Sequence, residues 1–198
     1  MKMMKTLLAA AVVAASVPAM AYEAGDIMVK AGAISVNPTN DANFSRDIGD
    51  NTQLGITGTY MFHSKWGVEV LAATPFNHSI LAGAAETDHL PPTVSMQFYP
   101  LGDQASTVQP YFGVGINYTT FFGDETATGV DLDLKDSWGV AYSAGVNVHL
   151  NDNWMANVAV WKVEIDTEIG NAAVATAVGQ TNVTIDPTVF LVGVGYKF

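Results

Sequence analysis

Phe190-Leu191-Val192-Gly193-Val194-Gly195-Tyr196-Lys197-Phe198 ends the chain. Counting back from Phe198, Tyr196, Val194, Val192 and Phe190 are large and apolar. Lys197, Gly195 and Gly193 between them are small or polar, and Leu191 is the exception. A period of two is the period of a strand. A strand that is apolar on one face, small or polar on the other, and aromatic at its end fits a transmembrane β-barrel. Its outer face meets lipid and its inner face meets a crowded lumen. An edge strand of a soluble sandwich would alternate in the same way, and the opposite end of the chain argues against it.

That opposite end begins with a basic Met1-Lys2-Met3-Met4-Lys5. An Ala-rich apolar run from Thr6 to Pro18 follows, and then Ala19-Met20-Ala21, a small-x-small cleavage pattern. This predicts a secretory signal peptide over residues 1–21, cut before Tyr22. Residues 22–198 then form one domain of 198 − 21 = 177 residues. The apolar run is too short for a membrane helix.

The chain has no Cys, so a disulfide scaffold is excluded. No second apolar run is long enough for a helical span. Yet 49% of residues are hydrophobic and only 14% charged, which is lean in charge for a soluble exported domain. Spreading the apolar residues over alternate strand positions reconciles these facts. The net charge is −11, and −13 once Lys2 and Lys5 are removed, which argues against nucleic acid as a partner. The acids cluster between the alternating segments, as at Asp124, Glu125, Asp131 and Asp133. Such clusters read first as solvated surface.

Eight segments alternate, at about 26–36, 52–62, 66–74, 93–99, 110–122, 137–150, 154–165 and the C-terminal stretch. In the fifth, Phe112, Val114, Ile116 and Tyr118 face one way, and Gly113, Gly115, Asn117 and Thr119 the other. The joins after the second, fourth and sixth segments are short, and the other four are long. Short turns at one end and long loops at the other predict an eight-stranded antiparallel transmembrane barrel. Closure removes the unpaired backbone edge that lipid would penalise. An interior of this size suits side chains or one small ligand. Trp66, Phe98, Trp154, Tyr196 and Phe198 are expected in an aromatic girdle at the turn end, and Tyr118, Phe121 and Trp138 in one at the loop end.

Several stretches resemble the outer membrane protein W (OmpW) family. They include Trp66-Gly67-Val68-Glu69-Val70-Leu71-Ala72-Ala73-Thr74-Pro75-Phe76 and His89-Leu90-Pro91-Pro92-Thr93. They continue with Pro110-Tyr111-Phe112-Gly113-Val114-Gly115-Ile116-Asn117-Tyr118 and Lys135-Asp136-Ser137-Trp138-Gly139, then Val160-Trp161, Asp186-Pro187 and the terminal strand. The resemblance covers residues 22–198, with weaker agreement in the first, third and fourth long loops. It implies a bacterial outer-membrane barrel with a narrow, largely apolar lumen, associated with passive uptake of small hydrophobic molecules. It also implies that Leu71 and Trp161 close that lumen, and strand parity independently points both inward. Family members can serve as bacteriocin or phage receptors. A surface receptor, an adhesin or a purely structural barrel with an inert lumen is therefore the competing reading.

Three charges, Lys30, Glu69 and Lys197, point inward by parity near the turn end, which predicts an internal salt-bridge cluster. Pro75, Pro91 and Pro92 bracket the second long loop. Proline donates no backbone hydrogen bond, so these residues either end the strands or leave a gap in the wall for lateral exit into the bilayer. Phe198 and Tyr196 would form the terminal signal read by the outer-membrane assembly machinery. The expected partners are thus outer-membrane lipid, small hydrophobic solutes and that machinery. The residues suggest no metal and no cofactor, since there is no HExxH, Cys pair or regular His spacing. No nucleophile, base and orienting group converge by parity, so an enzyme is not expected. The third long loop, where Val130, Leu132 and Leu134 alternate with charges, reads as an extension of the fifth and sixth strands beyond the membrane.

Overall fold

The computed structural model describes residues 19–37, 52–74, 76–80, 85–90, 92–126, 133–179 and 181–198. The predicted Val130 and Leu132 positions and most of the predicted signal peptide lie outside them. Eight antiparallel strands make a closed barrel. They are β1 (Ile27–Asn37), β2 (Thr52–His63), β3 (Trp66–Ala73), β6 (Thr93–Phe98), β7 (Val108–Thr126), β8 (Ser137–His149), β9 (Trp154–Val163) and β12 (Thr188–Lys197). Two short hairpins supplement them, β4 (Phe76–Ile80) with β5 (Ala85–Leu90) and β10 (Asp166–Glu168) with β11 (Asn182–Thr184).

Register shows the closure. Ile27 of β1 lies opposite Tyr60, and successive partners are Val68, Met96, Val114, Tyr142, Lys162 and Thr188. Thr188 lies opposite Asn37, so the circuit re-enters β1 ten residues beyond its start, 37 − 27 = 10. Eight strands with that stagger tilt by about 40° to the barrel axis.

Burial follows the predicted parity. Leu54, Ile56, Val68, Val70, Val94, Met96, Val114, Ile116, Val192 and Val194 are exposed on the outer face. Their inward neighbours Thr57, Glu69, Ser95, Asn117 and Leu191 are buried. At the turn end, Trp66 stacks on Phe98 at 4.8 Å, and Tyr196 contacts Trp154 at 5.1 Å and Phe198 at 4.7 Å. At the loop end, Tyr118 and Trp138 lie 4.7 Å apart. The Tyr118 hydroxyl donates to Asp136, and this bond holds the exposed Asp136 carboxyl below its ordinary range. Phe121, expected in this girdle, is buried instead, because it shares the inward parity of Asn117 and Thr119.

The second long loop holds β4 and β5, and β5 pairs with the far end of β7. The expected extension of the fifth strand is present, but among the described residues its partner comes from the second loop and not the third. Leu90↔Thr120 and Thr93↔Asn117 share one register, so β5 continues β6 along β7 across residues 91–92. A short helix, α1 (Ala172–Val178), lies between β10 and β11. Asn171 caps its start by accepting from the Ala173 and Val174 amides, and Gly179 ends it at φ 71°.

Candidate functional site

The lumen has three storeys, each set by strand parity and stagger. The lowest is sealed. Lys30 Nζ lies 2.7 Å from Glu69 Oε2, with both side chains fully buried. Thr59 Oγ1 donates to the same carboxylate oxygen at 3.2 Å, and the Lys30 ammonium stands 4.7 Å from the Tyr111 ring centre. The stagger explains the pairing. Lys30 lies opposite Thr57, which lies opposite Leu71. Two strands carry a quarter of the ten-residue stagger, so Lys30 is level with Glu69.

Lys197 does not join them. It lies opposite Met28 at the bottom of β1 and pairs with Asp26 at 3.4 Å.

The segment before β1 completes the seal, and sequence reasoning missed it. Tyr22 donates its backbone N–H to the Gly102 carbonyl at 2.7 Å and turns its ring inward. That ring meets Tyr99 edge-on at 5.1 Å, and its hydroxyl accepts from Asn147 at 3.0 Å. Burial pushes the Tyr22 hydroxyl far above its ordinary range. Tyr99, Tyr111, Met28, Met61 and Met155 fill the space around it. Glycines leave room for these side chains: the Cβ absent from Gly145 would sit 2.4 Å from the Tyr111 ring.

The middle storey holds Leu71 and Trp161, both buried. β3 and β9 stand four strands apart in a ring of eight, on opposite walls. From Trp161 the register runs through Ser143, Gly113 and Gln97 to Gly67. That half-circuit descends by five residues, so Trp161 is level with Ala72, next to inward-facing Leu71. The two side chains named by the resemblance therefore face each other at one height, directly above the Lys30–Glu69 storey.

Above them the lumen is two-sided. Ile34, Val36, Val163 and Val189 line one side. On the other, Asn117 Nδ2 donates to the Thr93 hydroxyl at 2.9 Å and to the Pro92 carbonyl at 3.2 Å. Thr119 donates to Asn117 Oδ1 at 2.6 Å. Near the loop end Ile165, Ile169, Val174, Ile185 and Leu134 are buried together, with Leu134 bridged to Ile169. This apolar group around α1 was not legible as lumen in the sequence, because its residues lie in a segment with no long alternation.

Pro75 and Pro91 lie outside the described residues, and Pro92 is present at the start of β6. The β3–β6 ladder ends with Leu71↔Thr93, and the β4–β5 ladder begins with Phe76↔His89. The two registers differ by one residue. Thr74 turns toward β2, where its N–H donates to Leu54 at 3.1 Å and its hydroxyl to Gln53 at 2.8 Å.

Residues 23–198 match the model of the OmpW family. The chain is 42% identical to outer membrane protein W of Escherichia coli, covering 91% of this chain and 92% of that one. It is also 42% identical to outer membrane protein W of Vibrio cholerae, covering 99% and 100%. The crystal structure of the outer membrane protein OprG from Pseudomonas aeruginosa superimposes with a TM-score of 0.76 at 39% identity, covering 90% of this chain and 98% of that one.

Proposed function

The chain belongs to the OmpW family and is a β-barrel of the bacterial outer membrane, and from that premise we propose that it gives small hydrophobic molecules a passive route inward from the cell surface. The solute enters at the loop end, descends past Ile34, Val36, Val163 and Val189, and rests on Leu71 and Trp161. The observation that carries this reading is the order of the storeys. Below an apolar wall two large apolar side chains, Leu71 and Trp161, stand on opposite sides of the lumen, and beneath them Lys30, Glu69 and Tyr22 fill the barrel. A hydrophobic solute would have to cross a buried ion pair to reach the periplasm, which is costly.

The exit in this reading is lateral. The ladder between β3–β4 and β6–β5 changes register beside Pro92, just above the Leu71 level, and such a break is where the wall parts most cheaply. Pro75 and Pro91 belong to the same proposed exit. Cleavage before Tyr22 is part of this reading, and it leaves Tyr22 at the head of the working chain.

The test is uptake of a small apolar solute by cells or vesicles carrying wild type, Leu71→Ala or Trp161→Ala, with folding checked by heat-modifiable mobility. Both variants are expected to alter flux while remaining folded. Replacing Pro75, Pro91 and Pro92 with alanine, which restores three N–H donors, is expected to slow it. Flux equal to that of barrel-free controls throughout would instead place the function in the surface loops, as a receptor.

A further inference from the structure

The barrel wall bends sharply at the Leu71–Trp161 level. The ring runs β1-β2-β3-β6-β7-β8-β9-β12 and closes, so β1, β3, β7 and β9 stand a quarter-circuit apart. Leu71 and Trp161 occupy one diameter of this ring, and two inward-facing glycines occupy the other at the same height. Gly32 of β1 connects in register through Gly55 to Ala73. A quarter of the ten-residue stagger below Ala73 falls between Val70 and Leu71. Gly115 of β7 connects through Ser95 to Glu69. The same step above Glu69 falls between Leu71 and Ala72. Both glycines lie against the backbone of the next strand. A Cβ on Gly32 would sit 2.2 Å from the Val192 carbonyl oxygen, and one on Gly115 would sit 2.1 Å from that of Val94. Gly193, the partner of Gly32, lies as close to the Ala31 carbonyl oxygen, at 2.2 Å. Real Cβ atoms keep at least 3.0 Å from such neighbours. Adjacent strands therefore fold toward one another at these two corners as only glycine allows, which is the use of glycine at a barrel corner. At Gly55, Gly67, Gly113, Gly145 and Gly195 the added atom would first meet a side chain, and no such bend is implied. Gly139 does lie against the Glu164 carbonyl, but two inward positions above Ser143, the partner of Trp161.

We propose that Gly32 and Gly115 are positioning residues that flatten the barrel at this height and draw the walls carrying Leu71 and Trp161 together. A closed ring bent sharply at two opposite corners narrows along the perpendicular diameter. Here β1 and β7 are the corners, and β3 and β9 are the flat walls. Small residues line both corners: Gly32 has Gly55 and Gly193 as cross-strand partners, and Gly115 has Ser95 and Ala141. The aperture is then a slot, long from Gly32 to Gly115 and thin from Leu71 to Trp161. A slot selects apolar solutes by thickness, so an unbranched chain fits and a branched isomer of the same formula does not. This selection rests on the transport reading above and adds to it the width of the solute.

The chain has no Cys, so introduced cysteines can carry spin labels without background. Val70→Cys with Val160→Cys puts labels on the outer face across the Leu71–Trp161 diameter. Ala33→Cys with Val114→Cys does the same across the Gly32–Gly115 diameter. Electron–electron distance measurements on the refolded protein in lipid nanodiscs are expected to give a shorter separation for the first pair than for the second. Gly32→Ala and Gly115→Ala should lengthen the first separation and shorten the second. A general loosening of the barrel lengthens both, so the opposite signs are the signature of flattening. Equal separations with both glycines in place would overturn the proposal, even if neither alanine variant folds. Folded alanine variants whose two separations stay fixed or shift in the same direction would overturn it as well. Uptake by cells then compares hexane with its branched isomer neohexane. The ratio is expected to favour hexane and to fall severalfold in the alanine variants. An unchanged ratio in variants of altered shape would overturn the selection by width. If Leu71→Ala and Trp161→Ala alter neither flux, the transport reading falls, and the label separations still decide the flattening.

Discussion

Lys30 and Glu69 show what a single residue owes to its surroundings. Two charges removed from water offset that cost by facing each other at 2.7 Å, with Thr59 donating to the same carboxylate oxygen. Glu69→Leu leaves a buried ammonium without its carboxylate partner, and is expected to destabilise the barrel by about 3–5 kcal/mol in urea unfolding. The double variant Lys30→Met, Glu69→Leu is expected to recover most of that loss, since it removes both desolvation penalties. A double variant as unstable as the single one would show that shape, not charge, holds this storey. Parity alone placed Lys30, Glu69 and Lys197 inside. It did not give their heights, so it did not separate Lys197, which falls beside Met28 and takes Asp26.

At the scale of elements, each strand's two faces were legible because lipid and lumen impose opposite chemistry on successive residues. What the inner face does with its small residues was not. Gly145 on β8 lies opposite Tyr111 on β7, and the tyrosine ring occupies the place of the missing Cβ. Gly145→Ala is therefore expected to cost about 1–3 kcal/mol by overpacking. Adding Tyr111→Leu should relieve the clash in the same unfolding assay, although it gives up the Asn157–Tyr111 bond. An alanine that is silent in the wild-type background would show that the ring moves aside freely. The hairpin of β4 and β5 was legible only as a proline-bounded loop. Its strands are short, and the partner that orders them, the far end of β7, pairs with β5 residues from Leu90↔Thr120 to Ala85↔Thr126, far apart in sequence.

On the scale of the whole molecule, β12 is the seam. It pairs with β9 on one side and closes on β1 on the other, and the Phe198 N–H donates to the Ile27 carbonyl at 2.8 Å. An unclosed seam in lipid would expose a full edge of backbone donors and acceptors. Phe198 is 70% exposed and meets the Tyr196 ring in a T-shaped contact, so its contribution to the finished barrel is about 1 kcal/mol. If its larger role is as the assembly signal, deleting Phe198 lowers the assembled fraction in cells severalfold, while purified protein still refolds in detergent with near-normal stability. Equal losses in both settings would assign Phe198 to the fold alone.

The amino-acid sequence by itself determined the strand faces, the alternation of short turns and long loops, and the side of the wall on which Leu71, Trp161, Lys30 and Glu69 stand. These follow from a period of two and from the solvents on either side of the sheet, and both are local properties. Tertiary structure decided everything that depends on height. The ten-residue stagger of the closed ring brings Lys30 level with Glu69 and sets Leu71 against Trp161. It leaves Lys197 below, beside Met28 and paired with Asp26. Stagger belongs to the whole circuit of eight ladders, so no single strand contains it.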